Sequence, residues 1–170
     1  GTLLLMLPIS TKSNESAPFI DALFTATTST CVTGLVTVPT FSYWSTFGHI
    51  VILLLIQIGG LGVITVLAGI AIKLNKKMSI GNRVLLQDAF NLNSLSGLVK
   101  FVKNVIKVTF IVEGAGALLY MTVFVPEFGP VGIWYSVFNS VSAFCNAGID
   151  IISADSLVPY VFNPMIFFVT

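Results

Sequence analysis

Two stretches of this 170-residue chain decide its fold: Thr28-Ser-Thr-Cys-Val-Thr-Gly-Leu35 and Phe138-Asn-Ser-Val-Ser-Ala-Phe-Cys-Asn-Ala-Gly-Ile149. The second stretch repeats the first 114 positions later. Identical residues are paired as Phe24/Phe138, Cys31/Cys145 and Gly34/Gly148, and similar ones as Thr28/Ser142 and Leu35/Ile149. An apolar segment lies before and after each copy, so the pattern predicts a duplicated unit of helix, loop and helix.

The composition around these stretches is too apolar for a water-soluble domain. Hydrophobic residues make up 55% of the chain and charged residues 9%, against about 25% charged in an ordinary globular domain. The mean hydropathy is +0.97. Eight Lys/Arg and seven Asp/Glu cannot cover a soluble surface. The composition therefore predicts a membrane protein and excludes a secreted soluble domain, a disordered tail and a nucleic-acid-binding protein with a basic face.

Each repeated stretch is predicted to dip into the membrane and return. Ser16 is expected as the N-cap of a helix over Ala17–Ser29, with Pro18 in its first turn. Such a helix is roughly 20 Å long and reaches only partway through a bilayer. Leu35–Thr40, rich in β-branched residues, is expected to return as an extended strand. The second copy predicts a helix over approximately Val131–Phe144, followed by an equivalent turn.

The distribution of charge predicts the orientation in the membrane. Two segments, at about 47–72 and 105–125, are long enough to cross a bilayer, and a polar linker at 73–104 separates them. Seven of the eight basic residues lie in or beside this linker: Lys73, Lys76, Lys77, Arg83, Lys100, Lys103 and Lys107. By the positive-inside rule the linker is cytoplasmic and both loops face outward. The short apolar runs at the two chain ends are expected to be parts of helices in a longer protein.

The re-entrant loops have the elements of a cation filter. A half-helix that points inward places its negative C-terminal end near the bilayer centre, and a glycine can turn carbonyl oxygens toward a common axis. Such oxygens replace the hydration shell of a monovalent cation, but about four loops are needed to surround it. The predicted fold is therefore an all-α integral membrane protein of tandem helix–pore-loop–helix repeats, each loop combining a re-entrant half-helix with an extended filter, as in potassium channels. Repeat one is predicted to span 1–72, with a pore loop at 17–40 and an inner helix at 47–72. Repeat two is predicted to span 105–170, with an outer helix at 105–125, a pore loop at 131–155 and the start of an inner helix at 157–170.

Together with Gln57-Ile-Gly-Gly-Leu-Gly62, the two stretches resemble the membrane subunit of the Ktr/Trk potassium-uptake family, of the KtrB type, over essentially all 170 residues. The resemblance implies four repeats in one chain, of which these would be about the first two. It implies that Gly34 and Gly148 are the pore glycines of a filter that passes K⁺ across the bacterial cytoplasmic membrane. Each loop keeps one glycine, whereas potassium channels use Thr-Val-Gly-Tyr-Gly. This difference weakens the inference that the loops select K⁺ as strictly as a potassium channel does.

The resemblance also implies partners. These are a second copy of the full-length subunit, forming a homodimer with a separate pore in each subunit, and a cytosolic nucleotide-binding regulatory ring. We expect the 73–104 face to contact this ring; the alternative is a solvated loop near anionic lipid. No cofactor in the chain and no nucleic-acid partner are expected, and the gating elements of the family belong to later repeats.

Several individual residues are candidate site residues. Asp150 lies near the outer mouth and either raises the local cation concentration or is a solvated turn residue. Glu113, in mid-span, is either a functional carboxylate or a hydrogen-bonded structural residue facing another helix. Gln57 and the glycines at 59, 60 and 62 are interpreted as permitting close helix packing, and Cys31 and Cys145 as buried small residues beside the filter. The residues predicted to line the filter are Cys31, Val32, Thr33, Gly34, Cys145, Asn146, Ala147 and Gly148.

Three classes of function follow from these observations. Potassium translocation is favoured. A transporter of the same architecture that is permeable to Na⁺ or coupled to it is the alternative, followed by a membrane assembly protein that transports nothing. An enzyme is not expected, because a single histidine and scattered carboxylates supply no nucleophile–base or metal constellation.

Overall fold

The structure is a computed structural model, which describes residues 1–62, 65, 95–153 and 156–170. These residues are mainly helical and contain no strand. Two 3₁₀ turns lie at Pro8–Ser10 and Val158–Tyr160. The α-helices are α1 (Thr2–Leu5), α2 (Phe19–Cys31), α3 (Thr40–Tyr43), α4 (Thr46–Leu61), α5 (Leu95–Phe128), α6 (Val131–Phe144) and α7 (Pro164–Val169).

Helix α2 begins two residues later than predicted. Pro18 is its N-cap, with extended φ and ψ of −53° and 140°, and no side chain caps the first turn. The prediction of Ser16 as the N-cap is therefore wrong, because a proline disfavours helical backbone in the residue before it, here Ala17. Asp21 lies in the first turn, where its charge complements the helix dipole. After α2 and the loop at 32–34, the segment predicted as a returning strand has no ladder partner among the described residues.

Helix α6 has the predicted bounds, Val131–Phe144, and begins directly after Pro130. The predicted inner helix of the second repeat is different. The chain first makes the 3₁₀ turn at Val158–Tyr160, and α7 begins only at Pro164. Asn163 caps α7, since its side chain accepts a hydrogen bond from the Met165 amide at 3.0 Å. A proline at the first helical position, preceded by a capping residue, is a stronger start signal than the apolar run upstream.

Helix α5 is longer than predicted at both ends. It comprises 34 residues and includes the last ten residues that the sequence assigns to the linker. Its part at Lys100–Phe128 is long and apolar enough to cross a membrane, whereas α4 is a shorter apolar helix in its described extent. Lysines at positions 100, 103 and 107 do not interrupt the helix, because long basic side chains can extend their charge away from an apolar surface. The predicted continuation of α4 to residue 72 and the linker from 73 to 94 lie, apart from Thr65, outside the described residues.

The chain divides into two compact units, residues 1–60 with 112–170, and residues 61–111. In the first unit, a core around Trp44, Ile52 and Phe138 packs α2, α4 and α6 together. A smaller cluster around Tyr120 and Phe124 packs the end of α5 against α7. The described part of the second unit is chiefly the first half of α5. The candidate site lies entirely in the first unit.

Candidate functional site: two matched loops

The loop after α2 is held by its own helix. Val32 and Gly34 have positive φ values of 56° and 76°, and Thr33 between them does not. The Thr33 amide donates to the Thr28 carbonyl at 3.0 Å, and the Leu35 amide donates to Thr28 Oγ1 at 3.1 Å. When the φ angles of successive residues alternate in sign, backbone groups of the same kind can point to the same side of the chain.

The loop after α6 repeats this geometry. Asn146 and Gly148 have positive φ values of 57° and 65°. The Ala147 amide donates to the Ser142 carbonyl at 2.8 Å, and the Ile149 amide donates to Ser142 Oγ at 3.1 Å. Each of these features lies 114 positions after its counterpart in the first loop. The duplication read from the sequence therefore extends to the local backbone geometry.

The two loops meet at their glycines. A Cβ added to Gly34 would lie 2.7 Å from the Ala147 carbonyl oxygen and 3.5 Å from Gly148 Cα. A Cβ added to Gly148 would lie 3.8 Å from Gly34 Cα. Backbone therefore packs directly on backbone, which a side chain at residue 34 would prevent. The structure brings together the two glycines that the sequence selects.

An open cavity of about 410 Å³ lies over the two glycines. Its walls come from the segment after Gly34 and from four residues that follow Gly148, namely Ile149, Asp150, Ser153 and Ser156. The Asp150 carboxylate accepts hydrogen bonds from the Ile152 amide at 3.3 Å and from the Ser156 hydroxyl. Asp150 therefore lines the cavity and holds the turn that follows it, while an effect on the local cation concentration stays a prediction.

Acidic side chains also affect the tyrosines outside the membrane-spanning segments. Burial and the carboxylates of Asp21 and Glu15 raise the pKa of Tyr43. Burial and the neighbouring Glu127 carboxylate raise the pKa of Tyr160 to about 12. Burial is the larger cause of both pKa shifts, and the nearby carboxylates add to it.

One basic residue lies beside the rim of the cavity. Lys12 Nζ donates to the Phe41 carbonyl oxygen at 2.6 Å and lies 4.7 Å from the centroid of the Phe41 ring. Phe41 itself lines the cavity. The sequence analysis did not single out this lysine, because the two residues are 29 positions apart and no local motif joins them.

Glu113 joins three helices beside the loops. Its side chain is 5% exposed, and Gln57 Nε2 of α4 donates to Glu113 Oε1 at 2.7 Å. Ser140 Oγ of α6 donates to the Glu113 backbone carbonyl at 2.6 Å. Of the two predicted alternatives, this geometry favours a hydrogen-bonded residue that faces another helix.

The glycines that end α4 pack against the loops. A Cβ on Gly59 would lie 2.1 Å from the Thr30 carbonyl oxygen, and one on Gly60 would lie 2.2 Å from Cys145 Sγ. The packing interpretation is confirmed at these two positions. Gly62 follows α4 with a φ of 78° and has no described atom within 4 Å of an added Cβ, so the interpretation stays a prediction there. Glycine commonly ends a helix in this conformation.

The two cysteines have different environments. Both are free thiols; Cys145 is half-buried and Cys31 is exposed. The expectation of a buried residue is therefore wrong for Cys31, which is the last residue of α2. Within the part of the chain that the structure describes, no group of three or more His, Cys, Asp or Glu residues could hold a metal ion.

Comparison with known proteins provides independent information about function. Residues 1–170 match the family model TrkH, described as a cation transport protein. The chain is 44% identical over 159 residues to the potassium/sodium uptake protein NtpJ of Enterococcus hirae, covering 93% of this chain and 35% of the relative. It is 41% identical over 167 residues to the Ktr system potassium uptake protein B of Bacillus subtilis, covering 98% and 37%. For the protein of the same name from Vibrio alginolyticus the identity is 35% over 169 residues, covering 99% and 36%. The chain thus spans little more than a third of these relatives.

Proposed function

The chain belongs to the TrkH family of cation transport proteins, and from this premise we propose that it supplies two repeats of the pore of a potassium-uptake protein. The proposed filter consists of backbone carbonyl oxygens in the loops at 31–34 and 145–148. Membrane cation uptake is common to the family and to the names of the relatives. The choice of K⁺ and of these oxygens is our proposal.

The observation that carries the proposal is the contact between Gly34 and Gly148 beneath an open cavity. Two loops of matched geometry, each at the C-terminal end of a short helix, present backbone at one place. Irregular backbone at membrane depth is tolerated where it is buried in protein or lines a water-filled path. A path lined by carbonyl oxygens fits a cation and requires no charged side chain.

The proposed mechanism is an exchange of ligands. A hydrated cation enters the cavity, where Asp150 raises its local concentration, and loses water as carbonyl oxygens of the two loops replace it. The C-terminal ends of α2 and α6 add a favourable negative potential. Two loops cover about half of the circumference of an ion, so the other half comes from two further repeats outside these 170 residues.

The surrounding arrangement is proposed on the same basis. The protein is a multi-pass protein of the bacterial cytoplasmic membrane, with its pore loops open to the outside and residues 73–104 in the cytoplasm. The full-length subunit forms a homodimer, and a cytosolic nucleotide-binding ring contacts the 73–104 face. A pull-down with the charges of this linker reversed tests the contact, and unchanged ring binding would contradict it.

A second candidate function is uptake in which Na⁺ also permeates or is coupled to K⁺. It is favoured by the 44% identity to a relative whose name includes both potassium and sodium. The competition of Na⁺ with K⁺ uptake distinguishes the two candidates. Inhibition by Na⁺ supports shared permeation, stimulation supports coupling, and independence supports a filter that selects K⁺.

The experiment that tests the filter uses the full-length protein in cells that lack their own potassium uptake. Gly34→Ser and Gly148→Ser are expected to raise the K⁺ concentration needed for half-maximal uptake and to lower K⁺/Na⁺ discrimination. Gly129→Ser is the matched control, because Gly129 also has a positive φ, of 63°, but contacts neither loop. Unaltered affinity and discrimination in both loop variants would refute the filter assignment.

A further inference from the structure

We propose that the hydroxyl groups of Thr28 and Ser142 are positioning groups that hold the two filter loops in shape and thereby set the discrimination between cations. This inference rests on the proposed function, since it concerns how the same carbonyl oxygens are kept in place. Each hydroxyl lies on the last turns of a short helix, six residues before the loop glycine. Each reaches across the glycine to the residue that follows it.

In the first loop, Thr28 holds the chain on both sides of Gly34. Its carbonyl oxygen accepts from the Thr33 amide at 3.0 Å, and its Oγ1 accepts from the Leu35 amide at 3.1 Å. The same Oγ1 is 2.6 Å from Thr33 Oγ1, so the two hydroxyls also bond to each other. Thr28 is only 3% exposed, so these bonds are largely shielded from bulk water.

In the second loop, Ser142 does the same with a different set of bonds. Its carbonyl oxygen accepts from the Ala147 amide at 2.8 Å, and its Oγ accepts from the Ile149 amide at 3.1 Å. Because residue 147 has no hydroxyl, Ser142 Oγ donates instead to the Ile149 carbonyl oxygen at 2.5 Å. Ser142 is 4% exposed. Both loops therefore use one buried hydroxyl to close the turn around their glycine.

Other hydroxyls of the same helices bond within their own helix or, in the case of Ser140, to the Glu113 carbonyl of α5, and not to the loops. Ser29 Oγ donates to the Thr25 carbonyl oxygen at 2.6 Å, and Ser136 Oγ donates to the Gly132 carbonyl oxygen at 2.7 Å. Both serines are fully buried. A hydroxyl that bonds to the carbonyl four residues earlier is the common arrangement in a helix. The contacts of Thr28 and Ser142 with the loops are therefore particular to these two positions.

These contacts matter because they hold the backbone of each loop on both sides of its glycine. If that backbone could change its shape, its carbonyl oxygens would adapt to a smaller ion. Discrimination between ions by backbone oxygens depends on their number and on how they are held. Removal of either hydroxyl also takes the acceptor away from a backbone amide, that of Leu35 or that of the buried Ile149.

The test compares Thr28→Val and Ser142→Ala with Ser29→Ala and Ser136→Ala in the full-length protein. We expect the first two variants to lower K⁺/Na⁺ and K⁺/Rb⁺ discrimination by roughly five- to tenfold, the effect of one lost buried hydrogen bond. The two control variants should keep the wild-type ratio. Thr28→Ser should also keep it, because it restores the hydroxyl. A ratio of uptake rates does not depend on how much protein reaches the membrane.

The outcomes separate this inference from the proposed function. Loss of discrimination in the glycine variants but not in Thr28→Val or Ser142→Ala would overturn the hydroxyl role and leave the filter intact. Retained discrimination in both glycine variants would overturn the filter itself. If the valine and alanine variants fail to accumulate, residue-resolved hydrogen exchange on the wild-type protein decides. The Leu35 and Ile149 amides should then exchange more slowly than the amide of exposed Val36, and equal rates would overturn the inference.

Discussion

The contact between the two glycines predicts unequal effects of alanine at positions 34 and 148. Both residues have positive φ, and a left-handed backbone costs an L-residue about 1–2 kcal/mol. At Gly148 this strain is the main cost, because an added Cβ would meet only Gly34 Cα, at 3.8 Å. At Gly34 the added Cβ would lie 2.7 Å from the Ala147 carbonyl oxygen. That oxygen must move, and it is one of the proposed ion ligands.

We therefore expect Gly34→Ala to be the more damaging change. A displaced ligand oxygen that weakens K⁺ binding relative to Na⁺ by about 1.4 kcal/mol corresponds to a loss of about tenfold in K⁺/Na⁺ discrimination, whereas backbone strain is common to both ions. Gly148→Ala, with strain alone, should lose less. The assay measures K⁺ and Na⁺ uptake side by side in cells expressing the full-length protein, with Gly129→Ala as the control for strain without contact. Equal losses at both positions, or a greater loss at Gly148, would refute the reasoning.

Three further predictions concern groups near the loops. Glu113→Leu should lower the free energy of unfolding in detergent by about 1–3 kcal/mol, because the Gln57 amide loses its buried acceptor. Glu113→Gln keeps an acceptor and should keep potassium uptake. Lost uptake in a stable Glu113→Gln protein would instead establish a role for the charge. Gly60→Ala should reduce thermal stability, since its Cβ would overlap Cys145, and combining it with Cys145→Ala should recover part of the loss. The raised pKa of Tyr160 favours the neutral phenol in the folded state, so the contribution of Tyr160 to stability is complete below the ordinary pKa of 10 and should disappear as the pH rises toward about 12. An absorbance titration with Tyr160→Phe as the reference measures the ionisation of this phenol. A tyrosinate signal from Tyr160 near pH 10 would contradict the prediction.

Features with a strong local signal could be predicted from the sequence. Helix α6 has its predicted bounds because Pro130 fixes its start and Cys145-Asn-Ala-Gly148 allows a turn at its end. Gly34 and Gly148 were selected by their common spacing and do have the positive φ that this role requires. The correspondence between these two residues follows from the sequence alone, because the two copies of the motif are 114 positions apart.

Features that depend on tertiary contacts could not be predicted. Lysines in a polar stretch indicated a linker, yet α5 continues through residues 95–104, because local helix propensity does not require an apolar sequence. The start of α2 depended on whether Ser16 or Pro18 would set the first turn, and Pro18 did. The Gln57–Glu113 bond joins residues 56 positions apart, and no spacing rule relates them. The six-residue interval from Thr28 and Ser142 to their glycines was present in the sequence, but its meaning depends on the fold of the loop.

The matched loops also have diverged, which affects how such a pore can change. The first loop contains Val32 and Thr33 where the second contains Asn146 and Ala147, although the backbone conformation is the same. In a pore made of identical subunits, one altered codon changes every loop at once. When the loops belong to one polypeptide, each mutation changes a single side of the ion path. Ion preference can therefore be adjusted in small steps, and one side can tolerate a substitution that would abolish transport if it were imposed on all sides together.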